Sequence, residues 1–290
     1  VVKGVVLTRK FSLVVALVLL ASTLQAAERM PLSEVRKGMK GYGLTVFEGT
    51  KLEKFDVEIL GVLNNIGPDQ SLILAQVDAP VLRRTGVIAG MSGSPIYIDG
   101  KVIGALAYAW QFAKEPVAGI TPIDEMLKVS RAKVPPASSG NAASPASAVA
   151  PRMNAAQLLQ SLANSKPQEA FDRLMSEMTA APMSAVTGAK RIALPMSVSS
   201  FSAETIQRFS PYLDQLGFVA VPSGTSSTST TTTSTKHDFA PGDAIAGVLL
   251  NGDFNVAATG TVTYVDGDKV YAFGHPFLDM GEINFPMATS

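Results

Sequence analysis

Apolar residues in this chain change their spacing several times, and the changes divide it. From Phe55 the pattern alternates (Phe55, Val57, Ile59) before running apolar to Leu63, and Ser71–Val77 is a compact apolar run. Alternation with period two marks a strand with one face in a core, and a short unbroken run fits a buried strand. Pro95–Ile98 and Val102–Ala109 flank Asp99-Gly100. Asp-Gly between apolar strands predicts a tight hairpin, because both central residues of such a turn need positive φ. Thr121–Val129 predicts a short closing helix. Residues 31–131 therefore read as a β unit.

The pattern then breaks. Residues 132–152 (AKVPPASSGNAASPASAVAPR) are rich in Ala, Pro and Ser and read as a flexible linker. Within 153–222 the apolar residues return at helical spacing. Leu158, Leu159 and Leu162, then Phe171, Leu174, Met175 and Met178, predict two short helices separated by Pro167. A third helix is predicted from an N-cap at Ser202 through Ile206, Phe209, Leu213 and Leu216 to a stop at Gly217. This stretch reads as a helical insert, its methionines as core filler. Residues 223–238 contain a Thr/Ser tract too poor in apolar groups to offset the entropy of ordering, and read as a second linker. Strand character resumes in 239–290. Val248–Leu250 leads to Asn251-Gly252, and Thr261–Val265 and Val270–Phe273 bracket Asp266-Gly267, a second hairpin signal. No closing element follows, so this half is expected to be incomplete at its C-terminus, with an unpaired sheet edge.

Residues 1–27 read as an export signal. Arg9 and Lys10 precede an apolar run from Phe11 to Leu24, and Ala26 and Ala27 suit a cleavage site. The run is shorter than the ~20 residues of a membrane span and fits a secretory signal; the alternative is an uncleaved N-terminal anchor, since neither Leu24 nor Gln25 is ideal three residues before the cleavage position. The expectation is an exported protein, periplasmic or extracellular, with no stable membrane insertion once the signal is removed.

Composition narrows the chemistry. Hydrophobic residues make up 47% of the 290, charged ones 17%, and the formal net charge is zero, so no basic footprint for nucleic acid is present. There are no cysteines, which excludes disulfides, a cysteine nucleophile and thiolate metal sites. Two histidines, His237 and His275, are too few for a multi-histidine metal centre.

One hexapeptide carries chemistry: Gly90-Met91-Ser92-Gly93-Ser94-Pro95, directly before the first hairpin. A serine hydroxyl is a weak nucleophile until a base takes its proton. It also needs backbone N–H groups facing the oxyanion that forms on the substrate carbonyl. Glycines on both sides of Ser92 allow such a turn. The spacing is similar to that of trypsin-like peptidases, and by that match Gly90 and Ser92 would supply the oxyanion-hole donors. The alternative is a Gly/Ser turn that only joins strands. His275, held between Gly274 and Pro276 at the end of a predicted strand, is the candidate base. His237 adjoins the Thr/Ser tract and reads as a solvated linker residue.

Two stretches carry a wider resemblance. Ser71–Leu127, with QSLILAQVDAPVLRRTG, GMSGSPIYIDGKVIGA and GITPIDEML, is similar to the serine-bearing half of the SpoIVB peptidase family of sporulation signalling. GTVTYVDGDKVYAFGHPF resembles that family's histidine-bearing segment. The resemblance implies a trypsin-like double β-barrel, a Ser-His mechanism without metal or organic cofactor, and a protein or peptide substrate. It maps the nucleophile to Ser92, the histidine to His275 and the acid to Asp78, whose alternative role is an Asx-turn residue after a strand. Asp279 is a weaker candidate for the acid. The histidine segment here follows the serine segment, the reverse of the sporulation peptidase, with a linker and insert between them. No convincing peptide-binding PDZ segment is read ahead of the serine half in residues 1–70.

The sequence thus predicts a mainly β fold, two trypsin-like barrel halves separated by an α-helical insert and low-complexity linkers. It predicts an exported serine endopeptidase and leaves the oligomeric state open. Two alternatives stand beside it: an inactive relative that binds peptides in the same groove, and a secreted structural β protein.

Overall fold

The computed structural model describes residues 28–67, 70–110, 115–129, 169, 188–223, 238–278 and 286–289. The expected export signal at 1–27, the expected linker at 132–152, all but residue 169 of 153–187, where two helices are expected, most of 223–238, His237 and Asp279 lie outside the described residues.

The first half is a closed barrel. Its strands are β1 (Lys40–Val46), β2 (Leu52–Gly67), β3 (Gln70–Asp78), β4 (Pro95–Ile98), β5 (Lys101–Trp110) and β6 (Val117–Pro122). They pair in the order β4-β1-β2-β3-β6-β5, and a β4–β5 pairing closes the ring. Closure removes the exposed edges that an open sheet would leave. The alternation read in Phe55, Val57 and Ile59 is the inward face of β2. These side chains pack with Ile73, Ala75 and Val77 of β3 and with Ile96, Ile103, Leu106 and Ile120 from the other side. The β4–β5 hairpin turns at Asp99 (φ 50°) and Gly100 (φ 76°), the two positive φ values its Asp-Gly pair was expected to supply. A one-turn helix α1 (Leu82–Thr85) follows β3, and α2 (Ile123–Val129) closes this half. The latter starts later than the sequence pattern suggests because β6 runs on through Pro122.

The stretch expected to be a helical insert is strand as well as helix. It contains β7 (Ala189–Arg191), β8 (Leu194–Ser199), α3 (Ala203–Gln215) and β9 (Phe218–Pro222). The strands are short, and Pro195 interrupts one of them, so their alternation is too brief to compete with the helical periodicity beside it. Helix α3 follows its sequence signals. Ser202 accepts the Thr205 N–H at 3.1 Å as N-cap, and Gly217 ends the helix at φ 82°. It links β8 to β9, which pair in parallel and therefore need a crossover between them.

β8 and β9 belong to the second half, a six-stranded sheet in the order β13-β10-β11-β8-β9 with β12 against β11. The remaining strands are β10 (Ala244–Leu250), β11 (Asn255–Asp266), β12 (Lys269–Ala272) and β13 (Met287–Thr289). The β11–β12 hairpin is present, but Asp266 pairs with Lys269, so its turn is Gly267-Asp268, one residue later than expected. One edge of β10 carries β13. The core of this half consists of Leu194, Met196, Val198, Phe218, Val256 and Ala258 under Ile206 and Leu213 of α3 and its C-cap Leu216. Among the described residues no helix is long and apolar enough to cross a membrane.

Candidate active site

The site forms where the serine turn of the first half meets β11 and the end of β12 in the second. Gly93 (φ 94°) makes that approach possible, since a Cβ there would lie 2.1 Å from the carbonyl oxygen of Thr261 and 2.5 Å from the nitrogen of Phe273. The contact is fastened by backbone and hydroxyl bonds. Thr261 N–H donates to the Ser92 carbonyl at 2.8 Å. The Thr261 hydroxyl donates to the Gly90 carbonyl at 3.0 Å, and the Thr263 hydroxyl to the Gly93 carbonyl at 2.6 Å. Both threonines are buried, where leaving a hydroxyl without a partner costs free energy. A third cluster joins the halves beside this point, with Tyr264 and Tyr271 packing on Tyr97, Val102 and Ala105.

Ser92 and His275 therefore lie in adjoining segments. Ser92 is fully buried, and its hydroxyl donates to the carbonyl of Phe273, two residues before the histidine. Phe273 (φ 66°) and Gly274 (φ 70°) are consecutive left-handed residues. For a bulky residue that backbone state is uncommon and costs ~1–3 kcal/mol, a cost usually found at functional sites. The Gly274 backbone sits against Ala105 and Leu106, where a Cβ would be 3.0 Å from both.

The half-buried imidazole of His275 faces two carbonyls. Nδ1 is 3.0 Å from the Pro276 oxygen, and Nε2 is 3.1 Å from the Ile192 oxygen. Only a doubly protonated ring donates to both. Among the described residues, Ser92 has no hydrogen bond to the ring.

Asp78 ends β3, directly across from Asp56 of β2. Arg83 of α1 holds its carboxylate in two bonds, Nε to Oδ1 at 2.7 Å and Nη2 to Oδ2 at 2.6 Å. That guanidinium lowers the Asp78 pKa below the ordinary carboxylate value, against a smaller opposing effect of burial. Asp78 makes no hydrogen bond to His275 among the described residues.

Of the two expected oxyanion donors, the Gly90 N–H points at a carbonyl of the chain itself, that of Ala193, at 3.1 Å. Ser94 is buried and its hydroxyl has no partner among the described residues. Sequence reasoning missed Thr261, Thr263, Phe273 and the Ile192-Ala193 segment. The alternating threonines of Gly260-Thr261-Val262-Thr263 were a usable signal for a strand presenting hydroxyls on one face. Carbonyl acceptors carry no side-chain signature at all.

Residues 21–127, which include the Ser92 turn and Asp78, match the family described as SpoIVB peptidase S55. No curated protein and no solved structure matches the chain.

Proposed function

We propose that this chain, whose residues 21–127 match the SpoIVB peptidase S55 family, is an exported serine endopeptidase with Ser92 as nucleophile and His275 as base. The observation that carries the reading is the docking of the family-matched serine turn onto the segment that holds His275. The Ser92 hydroxyl bonds the Phe273 carbonyl, and the Ser92 carbonyl receives the Thr261 N–H. The chain order of the two segments is thus no barrier to their meeting, since catalytic constellations of this kind are defined by geometry and not by sequence position.

In this reading the Ser92 hydroxyl leaves the Phe273 carbonyl and gives its proton to Nε2 of His275 as Oγ attacks the substrate carbonyl carbon. The developing oxyanion takes the N–H groups of Gly90 and Ser92. His275 then returns the proton to the leaving amine, and water repeats the sequence to release the acid. For this to occur the Nε2 position must be cleared of the Ile192 carbonyl. Asp78 takes the place of the third residue only in a state where its carboxylate has left Arg83. The export signal at residues 1–27 sets the compartment in which this chemistry would take place.

The peptide-binding reading without catalysis draws on the burial of Ser92 and the occupied Gly90 N–H. A fluorophosphonate probe separates the two. Covalent labelling mapped by mass spectrometry to the peptide containing Ser92 is the expected result. A folded protein that never labels, yet binds peptide, would favour the inactive module.

A further inference from the structure

β5 offers one edge to β6 along Gly104–Ala109. On its other edge β4 covers only the first half, ending at the Pro95–Ala105 pair. Beyond that, the edge past Leu106 runs directly alongside the Ser92 turn, since Gly93 N–H donates to the Leu106 carbonyl at 2.8 Å and Leu106 N–H to the Ser94 carbonyl at 2.9 Å. An open strand edge beside a nucleophilic turn is where an extended peptide adds by backbone pairing.

In this chain that edge is occupied by the chain itself. Trp110, Ala109 and Tyr108 pair antiparallel with Ala189, Lys190 and Arg191 of β7. The pairing continues past β7, with Ile192 N–H donating to the Ala107 carbonyl at 2.9 Å. The next carbonyls meet the site. That of Ile192 lies 3.1 Å from Nε2 of His275, and that of Ala193 accepts the Gly90 N–H at 3.1 Å. The ring of Pro195 then lies over Gly90, 3.3 Å from where a Cβ would be. Ala189 and Ile192 are buried, Ile192 within the barrel's hydrophobic cluster, while Lys190 is exposed.

We infer that Ala189–Ala193 is a resident strand in the substrate groove, mimicking a bound peptide and holding the enzyme closed until it is displaced. This rests on the reading of Ser92 and His275 as the reacting pair. It also names the substrate class: an extended peptide with a branched aliphatic side chain at the Ile192 position and small residues at the Ala189 and Ala193 positions. The bound strand is not cut in this state because the Ser92 hydroxyl is turned to the Phe273 carbonyl and Nε2 faces a carbonyl oxygen instead of the serine.

The test uses the full chain and a fluorescent synthetic peptide of residues 188–195 (GAKRIALP). Lys190 is exposed and stands opposite Ala109, two residues from the hydrogen-bonded Ile192–Ala107 pair, so alternation makes its N–H a ladder donor. Lys190→Pro removes that donor without touching the core. The variant is expected to bind the peptide at least about tenfold more tightly than the unaltered chain, because its groove is open for a larger fraction of the time. Exchange of the Gly90 amide should quicken in the variant and slow again on adding peptide. A peptide with Asp at the Ile192 position should not bind. If Lys190→Pro does not fold by circular dichroism, Ile192→Ala, which weakens the buried anchor, is expected to act in the same direction. A folded variant that binds the peptide no better than the unaltered chain, with Gly90 exchange unchanged, overturns the resident strand. Because binding and exchange need no catalysis, tight binding without probe labelling in any variant retains the strand and removes the peptidase reading.

Discussion

Ser92 donates its hydroxyl to the carbonyl of Phe273, two residues short of His275, across a separation of 181 positions in the chain. In the proposed reading, the relationship brings the two motifs to one place and at the same time keeps them from reacting. A serine whose proton is held by a backbone carbonyl is not hydrogen-bonded to its base, and a base whose Nε2 faces a carbonyl cannot accept a proton there. In the proposed reading, converting one state to the other requires the Phe273 carbonyl to leave the Ser92 hydroxyl and the Ile192 carbonyl to leave Nε2 of His275.

Ser92 and Ser94 differ in how they are held, and labelling should follow that difference. Ser92 sits between glycines at the contact with β11, while the Ser94 hydroxyl is buried without a partner. Ser92→Ala is expected to abolish fluorophosphonate labelling, and Ser94→Ala to keep most of it. Labelling that persists in Ser92→Ala, measured by mass spectrometry of the modified peptide, would move the nucleophile elsewhere.

Gly93 lies against backbone of the other half, and it has no room for a side chain. Gly93→Ala would set a methyl 2.1 Å from the Thr261 carbonyl oxygen in a positive-φ conformation. Backbone on both sides leaves no flexible group to yield. A loss of more than ~3 kcal/mol in stability is expected, in the range reserved for steric and backbone disruption. Denaturant unfolding with a loss below ~1 kcal/mol would mean that the turn and β11 are not fastened as described.

The first half was legible because its signals were local and strong. The alternation of Phe55, Val57 and Ile59 gave β2, and Asp99-Gly100 gave the β4–β5 turn. The family resemblance read on Ser71–Leu127 holds for residues 21–127. β7, β8 and β9 were hidden for the opposite reason. Each is at most six residues long, and their meaning depends on partners far away in sequence, Tyr108–Trp110 for β7 and Asn255–Ala258 for β8. Of the site, side-chain chemistry could be read and backbone chemistry could not. Nothing in the letters of Phe273, Ile192 or Ala193 says that their carbonyls meet Ser92, His275 and Gly90.

Asp78 has a pKa lowered chiefly by its hydrogen bonds to Arg83. A carboxylate with a depressed folded-state value adds stability above its unfolded pKa, and loses it as pH falls through the folded value. The pair is exposed, so the effect is small and salt-sensitive. Asp78→Asn is expected to lower the Tm slightly at neutral pH, with the gap to the unaltered protein closing on acidification. A gap that stays constant down to the acid limit would remove the ion pair as its cause. Probe labelling of the same variant decides the other role: a rate held within about twofold leaves Asp78 with the ion pair alone, and a fall of ~10²-fold or more makes it the residue that orients His275.

Glu125 on α2 behaves in the opposite sense. Burial raises its pKa above the ordinary value, more than the Ser71 N–H at 2.7 Å lowers it. A carboxyl group with a raised folded-state value contributes stability below its unfolded pKa and loses it as pH rises through the folded value. Glu125→Gln keeps an acceptor for the Ser71 N–H and removes the charge. Its Tm is expected to equal or exceed that of the unaltered chain at pH 7, with the advantage disappearing below the unfolded carboxylate range. A clear loss at pH 7 would show that the ionised group is favourable where it stands.

His275 decides the proposed chemistry, because its ring stands in the segment that adjoins the Ser92 turn, two residues beyond the carbonyl that the Ser92 hydroxyl bonds. If it takes the serine proton, His275→Ala should lower the rate of probe labelling by about 10³-fold or more, while His237→Ala leaves it within about twofold. His275→Gln separates chemistry from structure. Its amide can still donate to the Ile192 carbonyl but cannot act as a base near neutral pH. The Gln variant is therefore expected to melt close to the unaltered protein and to label as poorly as the Ala variant. Labelling that recovers in His275→Gln would reduce the histidine to a prop for the 192–193 segment. Labelling lost in His237→Ala and kept in His275→Ala would place the base on the other histidine and undo the assignment of the second motif.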